Sequence, residues 1–243
     1  MRTSHVRTAV VTGLREYART PVLLAILVVA PAYLVGLFGY AAPDTPVPVD
    51  VPNGGQTTAP LADVLTLLGV VLVAAMVSGL VGLFVVQSAT DADGRLVIAG
   101  FAPTSILLAR GTLVGVAASA TVAVSMVVAL LVFSPVNVLG VAVAGLVTAL
   151  IYGLIGVIVG TQVDRLAGVW ILLFVPLLDV VLFQNPLATE AKTLATILPS
   201  HATMRLAVDA GFGTGFAWAN LGSAVGYLLV VATISTLFYY RST

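Results

Sequence analysis

Apolar residues in this chain come in long uninterrupted runs, separated by short stretches in which charge, Pro and Gly collect. A helix that crosses about 30 Å of hydrocarbon needs about 20 mostly apolar residues. Six runs meet that measure, at 21–40, 64–87, 110–133, 138–160, 167–183 and 217–240. The pattern predicts an all-α membrane protein, a single domain over 1–243 built on six transmembrane helices.

The connections differ in kind. In the head, 1–20, Val6, Val10, Leu14 and Tyr17 fall on one helical face and Arg7, Arg15 and Arg19 lie away from it, the pattern of an amphipathic helix lying in the membrane interface. No signal-peptide cleavage site follows, so the head is expected to be retained. The segment 41–63 is rich in Pro and Gly and is read as a loop without apolar periodicity. The segment 184–216 holds two short helical patterns broken at Pro199, a hairpin at the outer surface, able to dip inward where protein shelters it.

Charge sets the orientation. Arg2, Arg7, Arg15, Arg19, Arg95, Arg110, Arg165 and Arg241 fall on one side of the six-span scheme, and Lys192 and Arg205 on the other. Basic residues collect on the cytoplasmic side, so both termini and the loop 88–109 are expected inside. The expected location is the plasma membrane of a prokaryote, with the lipid bilayer as the first partner.

Composition narrows the chemistry. Of 243 residues 60% are hydrophobic and 8% charged, the net charge is zero and there is no cysteine; mean hydropathy is +1.14. A neutral chain with sparse arginines offers no groove for nucleic acid. Ser78 inside the second span invites comparison with an intramembrane serine protease, but His5 and His201 both fall outside the spans, leaving no positioned base. No cluster of metal-ligating residues stands out, and Asp91, Asp93 and Gly94 depart from a calcium loop in spacing. The sole lysine, Lys192, is preceded by Ala191 rather than Gly, so the chain has no phosphate loop and is not expected to be an enzyme.

Two features remain. Asp179 stands inside an apolar run, a candidate pathway residue or else an acid near the outer end of its span beside Gln184 and Asn185. The loop 88–109 carries capping residues, an apolar patch of Leu96, Val97, Ile98 and Phe101 rimmed by charge, and Pro103 restarting a helix. Such a patch suits docking of another protein. Small residues also recur four apart at Gly111 and Gly115, Gly156 and Gly160, and Gly222 and Gly226, as in close-packed membrane helices.

The head ending in REYART, the inner run GRLVIAGFAPTSILLARG and six spans with an outer helical segment before the last resemble the permease subunits of ABC exporters of the second type. The resemblance covers nearly the whole chain as an architecture, through loose motifs. It implies that Asp91, Asp93, Gly94, Arg95, Leu96 and Phe101 form a coupling helix seated in a separate ATPase subunit. The head, with Arg7, Leu14, Arg15, Tyr17 and Arg19, becomes the connecting helix. Many members carry Glu before the loop glycine where this chain has Asp93. ATP and Mg would bind the partner ATPase and no cofactor this chain; a second permease copy, identical or not, would complete the pathway for a hydrophobic or amphipathic substrate. Two other readings stand beside it: an ion-coupled secondary transporter using Asp179, and a ligand-binding membrane component of an uptake system using Tyr152, Trp170 and Trp218.

Overall fold

The computed structural model describes residues 25–52, 54–88, 103–187, 193–214 and 217–242. The head residues Arg7, Leu14, Arg15, Tyr17 and Arg19 and the loop residues Asp91, Asp93, Gly94, Arg95, Leu96 and Phe101 lie outside that set. A π-helical turn, Ala25–Val29, leads into α1 (Ala30–Ala41), and two strands, β1 (Pro46–Val51) and β2 (Gly55–Pro60), follow. Then come α2 (Leu61–Gln87), α3 (Pro103–Ala129), α4 (Val138–Gln162) and α5 (Arg165–Leu177), which runs into a second π-helical turn, Leu178–Phe183. A 3-10 turn, Thr193–Ile197, precedes α6 (His201–Phe212) and α7 (Trp218–Ser242).

Among the described residues five helical stretches are long and apolar enough to cross a membrane: Leu61–Gln87, Leu108–Ala129, Val138–Gln162, Arg165–Phe183 and Trp218–Tyr239. Each overlaps a stretch expected from the sequence. Where the first span was expected at 21–40, the described part is a shorter apolar helix, Leu27–Ala41.

The expected loop at 41–63 is instead an antiparallel hairpin, in register from Pro46 opposite Pro60 to Val51 opposite Gly55. Val47, Val49 and Val51 alternate with Pro46, Pro48 and Asp50, and burial follows the alternation: Val49 and Val51 are buried, while the two prolines and the acid are exposed. Proline is tolerated because a two-stranded sheet is all edge. Gly54 N–H closes the turn on the Val51 carbonyl at 3.0 Å, and Gly55 follows at φ +74°, a left-handed geometry open to glycine at no steric cost.

Helix α2 forms the axis of the bundle. Twenty of its 27 residues are buried, and α1, α3, α4 and α5 all pack on it. Its contact with α4 is backbone to backbone. A Cβ on Gly82 would overlap the Gly153 carbonyl oxygen, and one on Gly156 would overlap that of Gly79. By contrast Gly111, Gly115, Gly222 and Gly226 face open space within 4 Å, so of the three expected glycine pairs only Gly156 and Gly160 pack inside this chain.

The bundle has two distinct ends. At one, Leu27, Val85, Val86, Ile106, Val157 and Tyr239 gather in a cluster, which brings the last turns of α2, α4 and α7 beside the π-helical turn before α1 and the first turn of α3. The hairpin lies at the other end, where Val51 approaches Gly213 just beyond α6.

Candidate functional site

The segment after α5 does not stay at the hairpin end. The carbonyls of Ala210 and Gly211, in the last turn of α6, accept the N–H groups of Asn137 and Val136 at 2.8 and 3.1 Å, and Gly140 packs against Ala210. The start of α6 meets Tyr152 through the Asp179 carboxylate instead. Gly140 and Tyr152 are twelve residues apart on α4, about 18 Å at 1.5 Å per residue, which is also the length of a 12-residue helix. Helix α6 is therefore re-entrant, with its C-terminus at the hairpin end and its N-terminal tip well inside the bundle. Eight of its twelve residues are buried, the shelter that non-spanning backbone needs at such depth.

At the tip is a buried polar cluster. Asp179, 1% exposed, accepts the Tyr152 hydroxyl at 2.5 Å on Oδ2, the Ser200 N–H at 3.0 Å on the same oxygen, and the Gln184 amide at 3.4 Å on Oδ1. The π-helical turn helps shape the site: its last bond runs from Gln184 N–H to the Asp179 carbonyl, five residues back, at 3.0 Å. Pro176, lacking an N–H, stands just before it. Gln184 also donates to the Ala195 carbonyl at 2.7 Å, so its oxygen is the atom facing His201 Nδ1 at 2.9 Å. An amide oxygen only accepts, so Nδ1 carries the proton and Nε2 is the basic nitrogen.

A carboxylate amid apolar helices is costly unless its lone pairs are filled. Here two good donors and a weaker third face it, and the positive end of the α6 dipole meets it at Ser200. These donors occupy acceptor positions on both oxygens of the carboxyl group. His201, on the short helix outside the spans, has its pKa lowered from the usual 6.5, chiefly by burial and then by the Arg205 charge one turn on, against an opposing effect of Asp179. The Ser200 hydroxyl is buried and finds no partner among the described residues.

The sequence placed Asp179 beside Gln184, and the structure joins them. Tyr152 and Ser200, 27 and 21 residues away in the chain, complete the cluster; no local signal announces them. Ser78 is buried and its hydroxyl finds no partner among the described residues, while His201 is engaged with Gln184. Trp170 and Trp218 are exposed and Tyr152 is buried. Among the described residues no group of His, Cys, Asp or Glu is placed to hold a metal ion.

A second polar junction closes the opposite end of α5. Gln87, in the last turn of α2, donates to the Val163 carbonyl at 3.0 Å, between α4 and α5. Arg165 lies over the Phe84 ring, 4.7 Å from its centroid, and Leu83 packs against Gly160 and Gly168. Asp164 caps α5 by accepting the Ala167 N–H at 2.8 Å.

This architecture, with long apolar helices around a central one, a re-entrant helix and a sheltered polar tip, is compatible with a polytopic helical membrane protein. No known family model matches the chain, and no curated protein matches it.

Proposed function

We propose that this chain is the membrane-spanning permease subunit of an ATP-driven ABC transporter, an exporter of a hydrophobic or amphipathic substrate. The observation that carries the reading is the place of α2. A helix with 20 of 27 residues buried fills the bundle axis, so a route for substrate belongs beside the bundle, between two permease copies. Helices α3, α5 and α7 keep exposed apolar side chains on their outer faces, among them Val127, Phe174 and Leu229.

The end bearing Gln87 is then cytoplasmic. It also carries Arg110, Arg165 and Arg241, as the distribution of basic residues in membrane proteins favours. The connection 88–109 opens at that end and holds the coupling segment, Asp91, Asp93, Gly94, Arg95, Leu96 and Phe101, for docking of an ATPase that binds ATP and Mg. Closure of the ATPase pair would shift the coupling segments and change access to the path, a conversion of differential binding into conformation. Asp179, faced by neutral donors and a helix N-terminus, has a positioning part here rather than that of an ion-coupling carboxylate.

The test is recovery of the tagged chain from native membranes in mild detergent. A phosphate-loop ATPase should come with it, and should be lost when Leu96→Asp and Phe101→Asp are combined. Reproducible recovery of the chain alone would overturn the reading.

A further inference from the structure

Helix α5 touches the bundle along one seam. Gly168 faces Leu83, with an added Cβ lying 2.6 Å from the leucine Cδ1; Leu172 covers Gly79, whose added Cβ would lie 3.2 Å from the leucine Cδ2. Pro176 continues the buried stripe, at the four-residue spacing of one helix face. The rest of α5 is largely uncovered, Leu166, Trp170 and Phe174 all being exposed.

The two ends of that seam are bound to different machinery. At the first, Gln87 and Phe84 grip Val163 and Arg165, one residue before Ser88 opens the loop 88–109. The buried Oε1 of Gln87 finds no partner among the described residues, so this grip rests on one donor bond and the ring contact. At the second, Asp179 grips the first residues of the re-entrant helix through the Ser200 N–H. Between them lies a continuous helix of 13 residues followed by the π-helical turn, which carries displacement along its axis.

We propose that α5 is a transmission element, through which movement of the α2 end at Gln87 is passed to the tip of α6 at Ser200. The inference does not rest on the permease reading: it concerns two ends of one chain, whatever moves the first. A shift of the α4–α5 turn relative to α2 slides or rolls α5 on its single seam and draws Asp179 from Ser200, loosening the re-entrant tip. The converse also holds, because coupling between two sites is reciprocal.

The natural absence of cysteine makes the test clean. Ser200→Cys, introduced into the full chain in lipid nanodiscs, places one thiol where the side chain is now fully buried, so its reaction rate with a small maleimide reports opening of the tip. Gln87→Leu and Phe84→Leu, each made separately, should raise that rate roughly fivefold or more, the usual lower range for coupled sites. Asp179→Asn should raise it too, and adding Gln87→Leu to Asp179→Asn should raise it no further. Val71→Ala, in the buried middle of α2, is the control for general loosening and should leave the rate unchanged. An unaltered rate in both Gln87→Leu and Phe84→Leu would overturn the proposal, as would an equal rise with Val71→Ala. Because no ATPase is present, either result leaves the permease reading to its own co-purification test.

Discussion

Gly82 rests directly against the carbonyl oxygen of Gly153, and the reciprocal contact of Gly156 with Gly79 lies about one turn further along both helices. Two helices approach this closely only where neither carries a side chain at the crossing. Adding one methyl there forces α2 and α4 apart. Gly82→Ala and Gly156→Ala should each cost about 1–3 kcal/mol, the usual penalty of overpacking. Gly111→Ala and Gly115→Ala, with open space at both positions, should be neutral or stabilising by up to about 1 kcal/mol through helix propensity. Thermal unfolding of the four variants in one detergent separates the two groups.

The Tyr152 hydroxyl and the Ser200 N–H share one oxygen of Asp179. Tyr152→Phe removes one donor from a buried carboxylate and should destabilise by about 1–3 kcal/mol. Because both residues serve a single network, Tyr152→Phe combined with Asp179→Asn should lose less than the sum of the single changes. Strict additivity in a double-mutant cycle would contradict the shared cluster.

The pH response should come from His201. Its pKa in the folded chain is lowered from 6.5, chiefly by burial, so below that value the unfolded chain takes up a proton more readily than the folded one. Stability is then greatest above about pH 6.5 and falls as the pH drops through and below it. His201→Gln should flatten this acid limb, as read by melting temperature from pH 7.5 to pH 5; an unchanged limb would remove His201 as its source.

Sidedness has a direct test in the absence of native cysteine. Arg95→Cys and Asp50→Cys, the latter exposed in the hairpin, each introduced alone, should react with a membrane-impermeant maleimide from opposite sides of sealed vesicles. Reaction from the same side would overturn the proposed orientation.

Much of the bundle was legible because a membrane span is written locally, as an apolar run of sufficient length. The ends of α2, of α4 and of α5 taken with its π-helical turn fall close to those runs. The hairpin is masked in the sequence by its prolines, which ordinarily break structure, although Val47, Val49 and Val51 display the two-residue period of a strand. Glycine pairs four apart pointed to helix contact without saying which face meets a partner. The tightest contacts involve Gly79 with Gly82 and Gly153 with Gly156, three apart. At the polar cluster, Asp179 and Gln184 were visible as neighbours five residues apart. Tyr152 and Ser200 arrive there by the folding back of α6, a long-range event with no signature in either segment.

The burial of α2 on every side along 66–75 has a consequence for how this sequence can drift. A helix with one lipid-facing side accepts almost any apolar residue there, so α7, with Leu229, Val230 and Leu237 exposed, should vary freely along much of its surface. In α2, where Leu67, Val71, Val73 and Leu83 are wholly enclosed, changes of volume are felt by a neighbouring helix whichever way the side chain points. Saturation mutagenesis should therefore show the continuously buried run 66–75 of α2 as a band of intolerance without the periodic relief that marks an ordinary spanning helix.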